Sequence, residues 1–372
     1  MKRLAVATVF GTRPEAIKLA PLLLDLGRRR AEFRSHVIVT AQHRDMLDQV
    51  LKTFGIRPGH DLDLMRPGQS PGQVGARILL ELEPVLAKLR PDVVVVQGDT
   101  MTTFAAALAA FNLKIPVAHV EAGLRTMDRY NPFPEEMCRR LTTSLADIHF
   151  APTAWARANL RREGVRAGSI LVTGNTVIDA LFQVLRQPMP VETRAILSRI
   201  PGRLLLVTTH RRENFNAPLR NICAALVTVV RRIPDISIVV PVHRNPHVDG
   251  PVRKFLEGKE RIHLVPPLDY APFVHLMRSA HLILTDSGGV QEEAPSVGVP
   301  VLVARRTTER PEGVDAGVAR LVGTERDEIE RAAIGLLSSR ARHRRMSRRT
   351  NPYGDGRASA RILDALLRRY RP

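Results

Sequence analysis

The chain has 372 residues, and 56 Lys and Arg against 37 Asp and Glu give it a formal net charge of +19. Hydrophobic residues make up 44% and charged residues 25%, which are ordinary globular values, so the composition excludes a largely disordered or collagen-like chain. At roughly 150 residues per domain, the length predicts two domains.

The basic excess is almost entirely arginine, with 49 Arg against 7 Lys, and much of it falls in 340–349 and 357–371. Aromatic residues are 4%, too sparse for a base-stacking platform, and no nucleic-acid-binding signature is present. We therefore expect no nucleic-acid partner. Most of the excess is interpreted as a solvated surface, and a fraction as charge that steers an anionic substrate.

No apolar run approaches the ~20 residues of a membrane span, and the first ten residues resemble a strand more than a signal peptide. We therefore expect a cytoplasmic protein. Its two cysteines, Cys138 and Cys223, lie far apart and outside any metal-ligand pattern, so neither a disulfide framework nor a metal site is predicted.

In the first half of the chain, apolar runs of strand length alternate with segments of helical period. We expect strands at Leu4–Phe10, His36–Thr40, Val93–Gln97, Val117–Val120 and Ile148–Ala151. We expect helices at Ala16–Leu26, Asp45–Phe54, Val74–Leu89, Thr102–Ala110, Glu135–Leu145 and Ala154–Glu163. This alternation predicts βαβ units around a parallel sheet.

Proline and glycine interrupt the pattern over 187–203, which indicates a domain boundary. A second set of strands is expected at Leu204–Thr208, Ile236–Val240, Ile262–Val265, Leu282–Thr285 and Val301–Val303. The chain is thus predicted to be an α/β protein of two Rossmann-like doubly wound domains, 1–184 and 185–356. A ligand cleft is expected between them, at the carboxyl ends of the strands.

The first strand runs into Gly11-Thr12-Arg13-Pro14-Glu15, and Lys18 follows one turn later. Glycine permits a sharp turn, and the start of the new helix offers N–H groups to an anion, to which Arg13 and Lys18 add positive charge. A plain strand-to-helix turn explains the glycine but not the two cations. The loop matches neither a Walker A nor a GxGxxG pattern, so ATP and NAD are not indicated.

A second candidate loop, 285–289, follows an apolar strand of the second half. Ser287 is placed to cap the next helix, Gly288 and Gly289 let a phosphate approach the backbone, and Glu293 is placed to accept hydrogen bonds from ribose hydroxyls. Together they favour a bound nucleotide diphosphate.

Three carboxylates, Asp99, Glu121 and Glu135, come at or shortly after the ends of strands in the first half. Singly, each is more typical of a helix cap or a surface group. As a set facing a phosphate site they fit acid/base chemistry, which needs paired groups with separated pKa values. His210, followed by two arginines after the first strand of the second half, suits negative charge developing on a leaving phosphate.

Ordered strings along the whole chain resemble the bacterial non-hydrolysing UDP-N-acetylglucosamine 2-epimerases: GTRPEAIKLAPL, TAQHRDMLDQVL, QGDTMTT, HVEAGLRT, NPFPEE, GNTVIDAL, THRREN, PVHRNP, LTDSGGVQEEAPSVG, TTERPEGV and NPYGDG. The resemblance implies a glycosyltransferase-B type fold, with the final helix, 357–372, returning to the first domain. It further implies a homodimer that uses no NAD and no metal.

The resemblance implies reversible conversion of UDP-N-acetylglucosamine into UDP-N-acetylmannosamine, by elimination of UDP to 2-acetamidoglucal and re-addition, as a precursor supply for surface polysaccharide. It assigns Asp99, Glu121, Glu135 and His210 to catalysis. Positions that match the family's UDP- or sugar-binding residues are Arg13, Lys18, Phe273, Ser287, Gly288, Gly289, Glu293 and Arg310. Positions that match a second, activating UDP-N-acetylglucosamine site are Gln42, Glu136, Arg211 and His243.

Other interpretations stay open at this point. A hydrolysing relative would release UDP and free N-acetylmannosamine. A retaining glycosyltransferase would share the fold and the diphosphate loop without needing the three carboxylates. A catalytically inactive UDP-sugar sensor and a basic nucleic-acid binder are further alternatives, which the intact carboxylate set and the scarcity of aromatic residues respectively disfavour.

Overall fold

The computed structural model describes residues 2–41, 44–66 and 68–371, without the side chain of Asp45. The chain divides into two compact units. Unit 1 is Met1–Gln183 with Tyr353–Pro372, and unit 2 is Val184–Pro352.

Unit 1 contains a seven-stranded parallel sheet. Its strands are β1 (Leu4–Phe10), β2 (Phe33–Val39), β3 (His60–Asp61), β4 (Val93–Gln97), β5 (Val117–Val120), β6 (Ile148–Ala151) and β7 (Ile170–Val172), in the order β3-β2-β1-β4-β5-β6-β7. Because helices cover both faces of such a sheet, its inner strands are continuous apolar runs. β1 and β4 accordingly have every residue buried.

The helices that follow these strands are α1 (Arg13–Arg28), α2 (Arg44–Phe54), α3 (Pro71–Leu89), α4 (Met101–Asn112), α5 (Glu135–Leu145), α6 (Ala154–Arg162) and α7 (Thr176–Leu185). Capping residues in the local sequence determine where these helices begin. The Ser70 hydroxyl accepts from the Gln73 backbone N–H while the Gln73 side chain accepts from the Ser70 N–H, a capping box at the start of α3. An alanine-rich α4 packs closely on the sheet core.

Unit 2 contains a six-stranded parallel sheet in the order β10-β9-β8-β11-β12-β13. Its strands are β8 (Arg203–Thr208), β9 (Ile236–Pro241), β10 (Ile262–Val265), β11 (Leu282–Thr285), β12 (Val301–Val303) and β13 (Ala319–Leu321). Its helices are α8 (Val191–Leu197), α9 (Ala217–Arg232), α10 (Pro246–Leu256), α11 (Tyr270–Ser279), α12 (Gly288–Glu293), α13 (Pro311–Asp315), α14 (Arg326–Leu337) and α15 (Arg340–Ser347).

The chain returns to unit 1 with α16 (Ala358–Tyr370), which packs on α1. Asp179 on α7 supplies its N-terminal cap. One Asp179 carboxylate oxygen accepts from the Ser359 N–H (2.8 Å) and hydroxyl (2.7 Å), and the other accepts from the Ala358 N–H (3.2 Å). A carboxylate at this position also opposes the positive end of the helix dipole.

The predicted class, α/β with two doubly wound parallel sheets, is confirmed. In each sheet the strand order reverses direction once, between β1 and β4 in unit 1 and between β8 and β11 in unit 2. In doubly wound sheets ligands bind at this point, outside the carboxyl ends of the strands. Within the described part of the chain, no helix is both long and apolar enough to cross a membrane.

Candidate functional site

The loops that follow β1, β4 and β5 hold the predicted chemical residues of unit 1. Arg13 is the first residue of α1, Asp99 lies two residues after β4, and Glu121 follows β5 directly. Glu135 is the first residue of α5, which leads from β5 to β6. Three carboxylates thus lie on neighbouring connections at the carboxyl edge of one sheet.

Glu15 organises the loop after β1. Its carboxylate accepts from the Gly11 and Thr12 N–H groups (3.1 and 2.8 Å) and from the hydroxyls of Thr12, Thr100 and Thr103 (2.7, 2.7 and 3.1 Å). Burial raises the pKa of Glu15, and these donors oppose that effect. Since Glu15 takes up two N–H groups at the loop, fewer are available to a ligand than the sequence suggested.

The predicted reason for Gly11 is wrong. Its φ lies outside the left-handed region, so the turn does not demand glycine. Instead, an added Cβ would lie 1.9 Å from Thr40 Oγ1 and 2.7 Å from Thr102 Oγ1. Glycine is required here because the chain after β1 approaches the chain after β2 and the start of α4 closely.

Side-chain donors hold the Glu121 carboxylate in place. Lys18 Nζ (2.5 Å) and Asn175 Nδ2 (2.8 Å) donate to its Oε1, and Gln97 Nε2 donates to its Oε2. The residue is nearly buried and has φ of +63°, in the left-handed region. Non-glycine residues in that region are uncommon and cluster at functional sites. Lys18, predicted to bind an anion, is here the partner of Glu121.

Asp99 and Glu135 share a neighbourhood with Arg139 of α5. Arg139 Nη2 donates to Asp99 Oδ2 at 2.5 Å. Burial raises the pKa of Glu135, the charge of Asp99 raises it further, and Arg139 opposes both effects. The structure therefore brings these two predicted carboxylates together.

The predicted second-ligand residues are distributed between the two units. Glu136 is fully buried, accepts from the Thr126 N–H (3.1 Å) and lies 3.5 Å from Arg139. Gln42 lies outside the described residues.

In unit 2, Asp286 organises the loop after β8. This buried carboxylate accepts from the backbone N–H groups of His210 and Arg211 and from Asn214 Nδ2 (3.0 Å). The exposed imidazole of His210 stacks on that of His243, with ring centroids 5.8 Å apart. A predicted catalytic residue and two predicted second-ligand residues, Arg211 and His243, are therefore neighbours.

The second phosphate-binding candidate is the start of α12. Ser287 occupies the N-cap position, but the prediction that its side chain caps the helix is wrong, because no such hydrogen bond is formed. A Cβ on Gly288 would lie 2.5 Å from Arg310 Nη1. Arg310 is buried, and its Nε donates to Glu292. Glycine here lets the guanidinium lie against the backbone of the loop.

Glu293, the predicted ribose acceptor, is buried and receives a hydrogen bond from the Tyr270 hydroxyl (2.6 Å). Phe273, predicted to lie beside the uracil, is half-buried on α11.

Glu309, next to Arg310 in sequence, is the centre of an ion-pair cluster. It pairs with three guanidiniums, those of Arg211, Arg305 and Arg310, at 2.9, 2.7 and 2.9 Å. Burial opposes ionisation of Glu309, but the three charges outweigh it and lower its pKa. The cluster therefore connects Arg211 of the loop after β8 with Arg310, a predicted UDP-binding residue.

Sequence reasoning missed the residues that hold the predicted ones in place: Gln97, Arg139, Asn175, Asp286 and Glu309. All but Arg139 lie inside a string that the resemblance quoted, and Arg139 follows the NPFPEE string by three residues. Their partners, however, are mostly 24 to 98 residues away in sequence. Among the described residues, no group of three or more His, Cys, Asp or Glu side chains is placed to hold a metal ion.

Comparison with known proteins identifies the family. The family model described as UDP-N-acetylglucosamine 2-epimerase matches residues 26–367. The chain belongs to this family. A UDP-N-acetylglucosamine 2-epimerase of Yersinia pestis is 54% identical over 368 residues, covering 97% of this chain and 98% of the relative. The crystal structure of the Neisseria meningitidis UDP-GlcNAc 2-epimerase bound to UDP-GlcNAc matches with a TM-score of 0.92 and 46% identity, covering 98% of this chain and 100% of that one.

The fold extends beyond the epimerase family. The kitacinnamycin glycotransferase matches with a TM-score of 0.63 at 15% identity, covering 98% of this chain and 100% of that one. At that identity the likeness concerns the fold alone. It confirms the glycosyltransferase-B type class predicted for the chain.

Proposed function

We propose that the chain is a non-hydrolysing epimerase that interconverts UDP-N-acetylglucosamine and UDP-N-acetylmannosamine. Family membership supports the substrate class, and the Neisseria relative binds UDP-GlcNAc. The observation that carries the proposal is the group of carboxylates at one sheet edge, where the charge of Asp99 acts on Glu135 and Glu121 follows the next strand. A protein that only binds a nucleotide sugar has no need of this group.

The chemistry explains why such a group is needed. The C2 proton of the sugar has no adjacent ketone to acidify it, so direct removal is slow. In the proposed route the C2–H bond breaks, its electron pair forms the C1–C2 double bond, and the C1–O bond breaks as UDP leaves with its electrons. The products are UDP and 2-acetamidoglucal. Return of a proton to the other face of C2, with UDP oxygen bonding to C1, gives the epimer.

We assign a role to each site residue from the charge and chemistry of its side chain. Asp99, Glu121 and Glu135 are assigned to proton transfer, which requires paired acidic and basic groups. His210 is assigned to the leaving UDP, because a positioned imidazole can stabilise the negative charge that develops on phosphate oxygen. Binding of the diphosphate and uridine is assigned to Arg13, Lys18, Phe273, Ser287, Gly288, Gly289, Glu293 and Arg310.

The proposal includes three finer points. A second UDP-N-acetylglucosamine binds as an activator at Gln42, Glu136, Arg211 and His243, which the contact between His243 and His210 supports. The working form is a homodimer. The product supplies N-acetylmannosamine units for cell-surface polysaccharide.

The deciding experiment is proton NMR of UDP-N-acetylglucosamine incubated with the protein in heavy water. Deuterium at C2 together with UDP-N-acetylmannosamine is expected. Free N-acetylmannosamine and UDP would instead identify a hydrolase. Absence of C2 exchange and of any product would exclude both an epimerase and a hydrolase.

Matched variants separate chemistry from folding. Asp99 lies after β4, and Asp99→Asn is expected to abolish exchange. Asp92→Asn is the control at the opposite end of the same strand, where Asp92 accepts from the Ala5 N–H at 2.7 Å. Asp92→Asn is expected to exchange the C2 proton at the wild-type rate, since the asparagine oxygen can accept the same hydrogen bond.

A further inference from the structure

Arg139 of α5 carries a buried guanidinium that lies beside Glu136 of the same helix and Asp99 of the loop after β4. Its side chain is 6% exposed, and its Nη2 contacts Asp99 Oδ2 at 2.5 Å. Its Nη1 is 3.5 Å from Glu136 Oε2, and neither Nη1 nor Nε has a hydrogen-bond partner among the residues described. The guanidinium therefore makes its one short contact with Asp99.

Glu135 lies one turn before Arg139 on α5, but its environment differs. Its buried Oε2 has no hydrogen-bond partner in the described parts of the chain, where no guanidinium nitrogen lies within ion-pair distance of its carboxyl group. Burial raises the pKa of Glu135, and the Asp99 charge raises it further. Asp99 and Glu135 are thus a pair of carboxyl groups of which one is ion-paired and the other is not.

We propose that Arg139 is a positioning residue that, through its contact with Asp99, makes Asp99 the base and Glu135 the acid of this pair. The inference rests on the proposed function and assigns the proton transfers that it left open. Two adjacent carboxyl groups without such a cation share one proton, and either can act as the base. With Arg139 in place the base and the acid are distinct before substrate binds.

The assignment gives a balanced reaction. In the direction from UDP-N-acetylglucosamine, Asp99 takes the C2 proton as UDP leaves, and Glu135 returns its own proton to the opposite face of C2 as UDP re-adds. Asp99 is then protonated and Glu135 ionised, and exchange with water restores the starting state. The reverse direction starts from the minor form of the enzyme, in which Asp99 is protonated and Glu135 ionised, so that Glu135 takes the proton and Asp99 returns one.

The first test is the pH dependence of kcat/KM for C2 exchange, measured for Arg139→Gln and Arg139→Lys. Arg139→Gln removes the positive charge that contacts the proposed base, Asp99. In Arg139→Gln the acidic limb of the kcat/KM profile, where the rate falls as the pH falls, is therefore expected to move to higher pH by roughly one unit or more. This is the range over which a neighbouring guanidinium changes the pKa of a carboxyl group. Arg139→Lys keeps the charge, so its acidic limb is expected to move less.

The matched control is Arg125→Gln, which removes another buried guanidinium of unit 1, bound to Glu163 at 2.6 and 2.8 Å. Its acidic limb is expected to stay at the wild-type position. An Arg139→Gln enzyme whose rate falls by one factor at every pH, with the limb unmoved, would overturn the proposal. A wild-type protein without C2 exchange would instead overturn the proposed function.

A second test does not depend on the folding of Arg139 variants. Release of UDP and 2-acetamidoglucal is measured separately from each epimer. Asp99→Asn is expected to lose elimination from UDP-N-acetylglucosamine more severely than from UDP-N-acetylmannosamine, and Glu135→Gln is expected to show the opposite preference. Equal losses from both epimers, or the reversed pattern, would contradict the assignment.

Discussion

The backbone N–H of His210 donates to both carboxylate oxygens of Asp286, at 3.2 and 2.9 Å, and the His210 Nδ1 lies 3.4 Å from Asp286 Oδ1. β8 and β11 are hydrogen-bonded neighbours, so the residue after β11 reaches the loop after β8. Asp286 is fully buried, whereas the His210 side chain is exposed. A buried acceptor thus fixes the backbone that presents the imidazole.

Asp286→Asn is expected to lower kcat on the order of 10²-fold, because a shift of about 1 Å in a catalytic group has that effect. Asparagine keeps one acceptor oxygen for the donors from His210, Arg211 and Asn214, which all reach Asp286 Oδ2. It loses the negative charge, however, and puts an NH2 group where Oδ1 now accepts from the His210 N–H at 3.2 Å. The free energy of unfolding is expected to fall by about 1–3 kcal/mol. Steady-state kinetics and urea denaturation measure the two effects, and a variant with wild-type kcat would show that this loop does not depend on Asp286.

Gly288→Ala is expected to weaken UDP binding by at least about tenfold, since the new Cβ would collide with Arg310 Nη1 and displace the guanidinium. Isothermal titration with UDP measures the change. Gly250→Ala is the control, because no atom lies within 4 Å of its added Cβ and α10 tolerates alanine. Equal affinities for the two variants would show that Arg310 does not need its present position to bind UDP.

The fold was predictable where strands are buried on both faces. β4 and β11 begin and end at the predicted residues, because each is an unbroken apolar run ended by a turn. The edge strands β3, β7 and β13 were not predicted. They are two or three residues long and carry exposed or half-buried positions, so neither length nor hydrophobic pattern marks them.

The candidate site was predictable in its loops but not in its contacts. Position after a strand marks Asp99, Glu121 and His210 as candidates, since strand ends meet at one edge of a sheet. The partner of each is fixed by the tertiary fold instead. Asn175 reaches Glu121 across 54 residues, and Arg139 reaches Asp99 across 40. No periodicity in one sequence encodes such a pair.

Unit 1 is expected to lose stability as the pH falls from about 6.5 to about 4. Burial lowers the pKa of His149 from 6.5 to about 4, and the charge of Arg125 lowers it further. The unfolded chain therefore takes up a proton in this window while the folded chain does not, which favours unfolding. Fluorescence of Trp155, the single tryptophan, follows unit 1 during urea denaturation.

The variant His149→Gln is expected to reduce this dependence on pH without abolishing it. It removes one proton that unfolding takes up, whereas His119, whose pKa burial lowers to about 3, still takes up another. His60→Gln, the same change at a half-buried position of unit 1, is expected to retain the wild-type slope. Identical slopes for wild type and His149→Gln would show that other groups govern the acid sensitivity.

Asn175→Asp is expected to abolish activity near neutral pH and to recover part of it in acid. The substitution keeps the shape of the side chain but puts a carboxyl group where Asn175 Nδ2 now donates to Glu121 Oε1 at 2.8 Å. Near neutral pH the introduced carboxylate repels Glu121 and competes for Lys18, and uptake of a proton by the introduced group in acid removes that repulsion. Rates of C2 exchange from about pH 5.5 to 8.5, on either side of neutrality, measure the effect.

The control for this charge effect is Asn159→Asp, at another buried asparagine of unit 1. The Asn159 amide donates to the Gly123 carbonyl at 2.9 Å and not to a carboxylate, so its rate profile is expected to keep the wild-type shape. If the two variants gave the same profile, loss of stability rather than the charge beside Glu121 would account for the effect. A profile that recovers in acid only for Asn175→Asp would show that the activity requires Glu121 to be ionised beside Lys18.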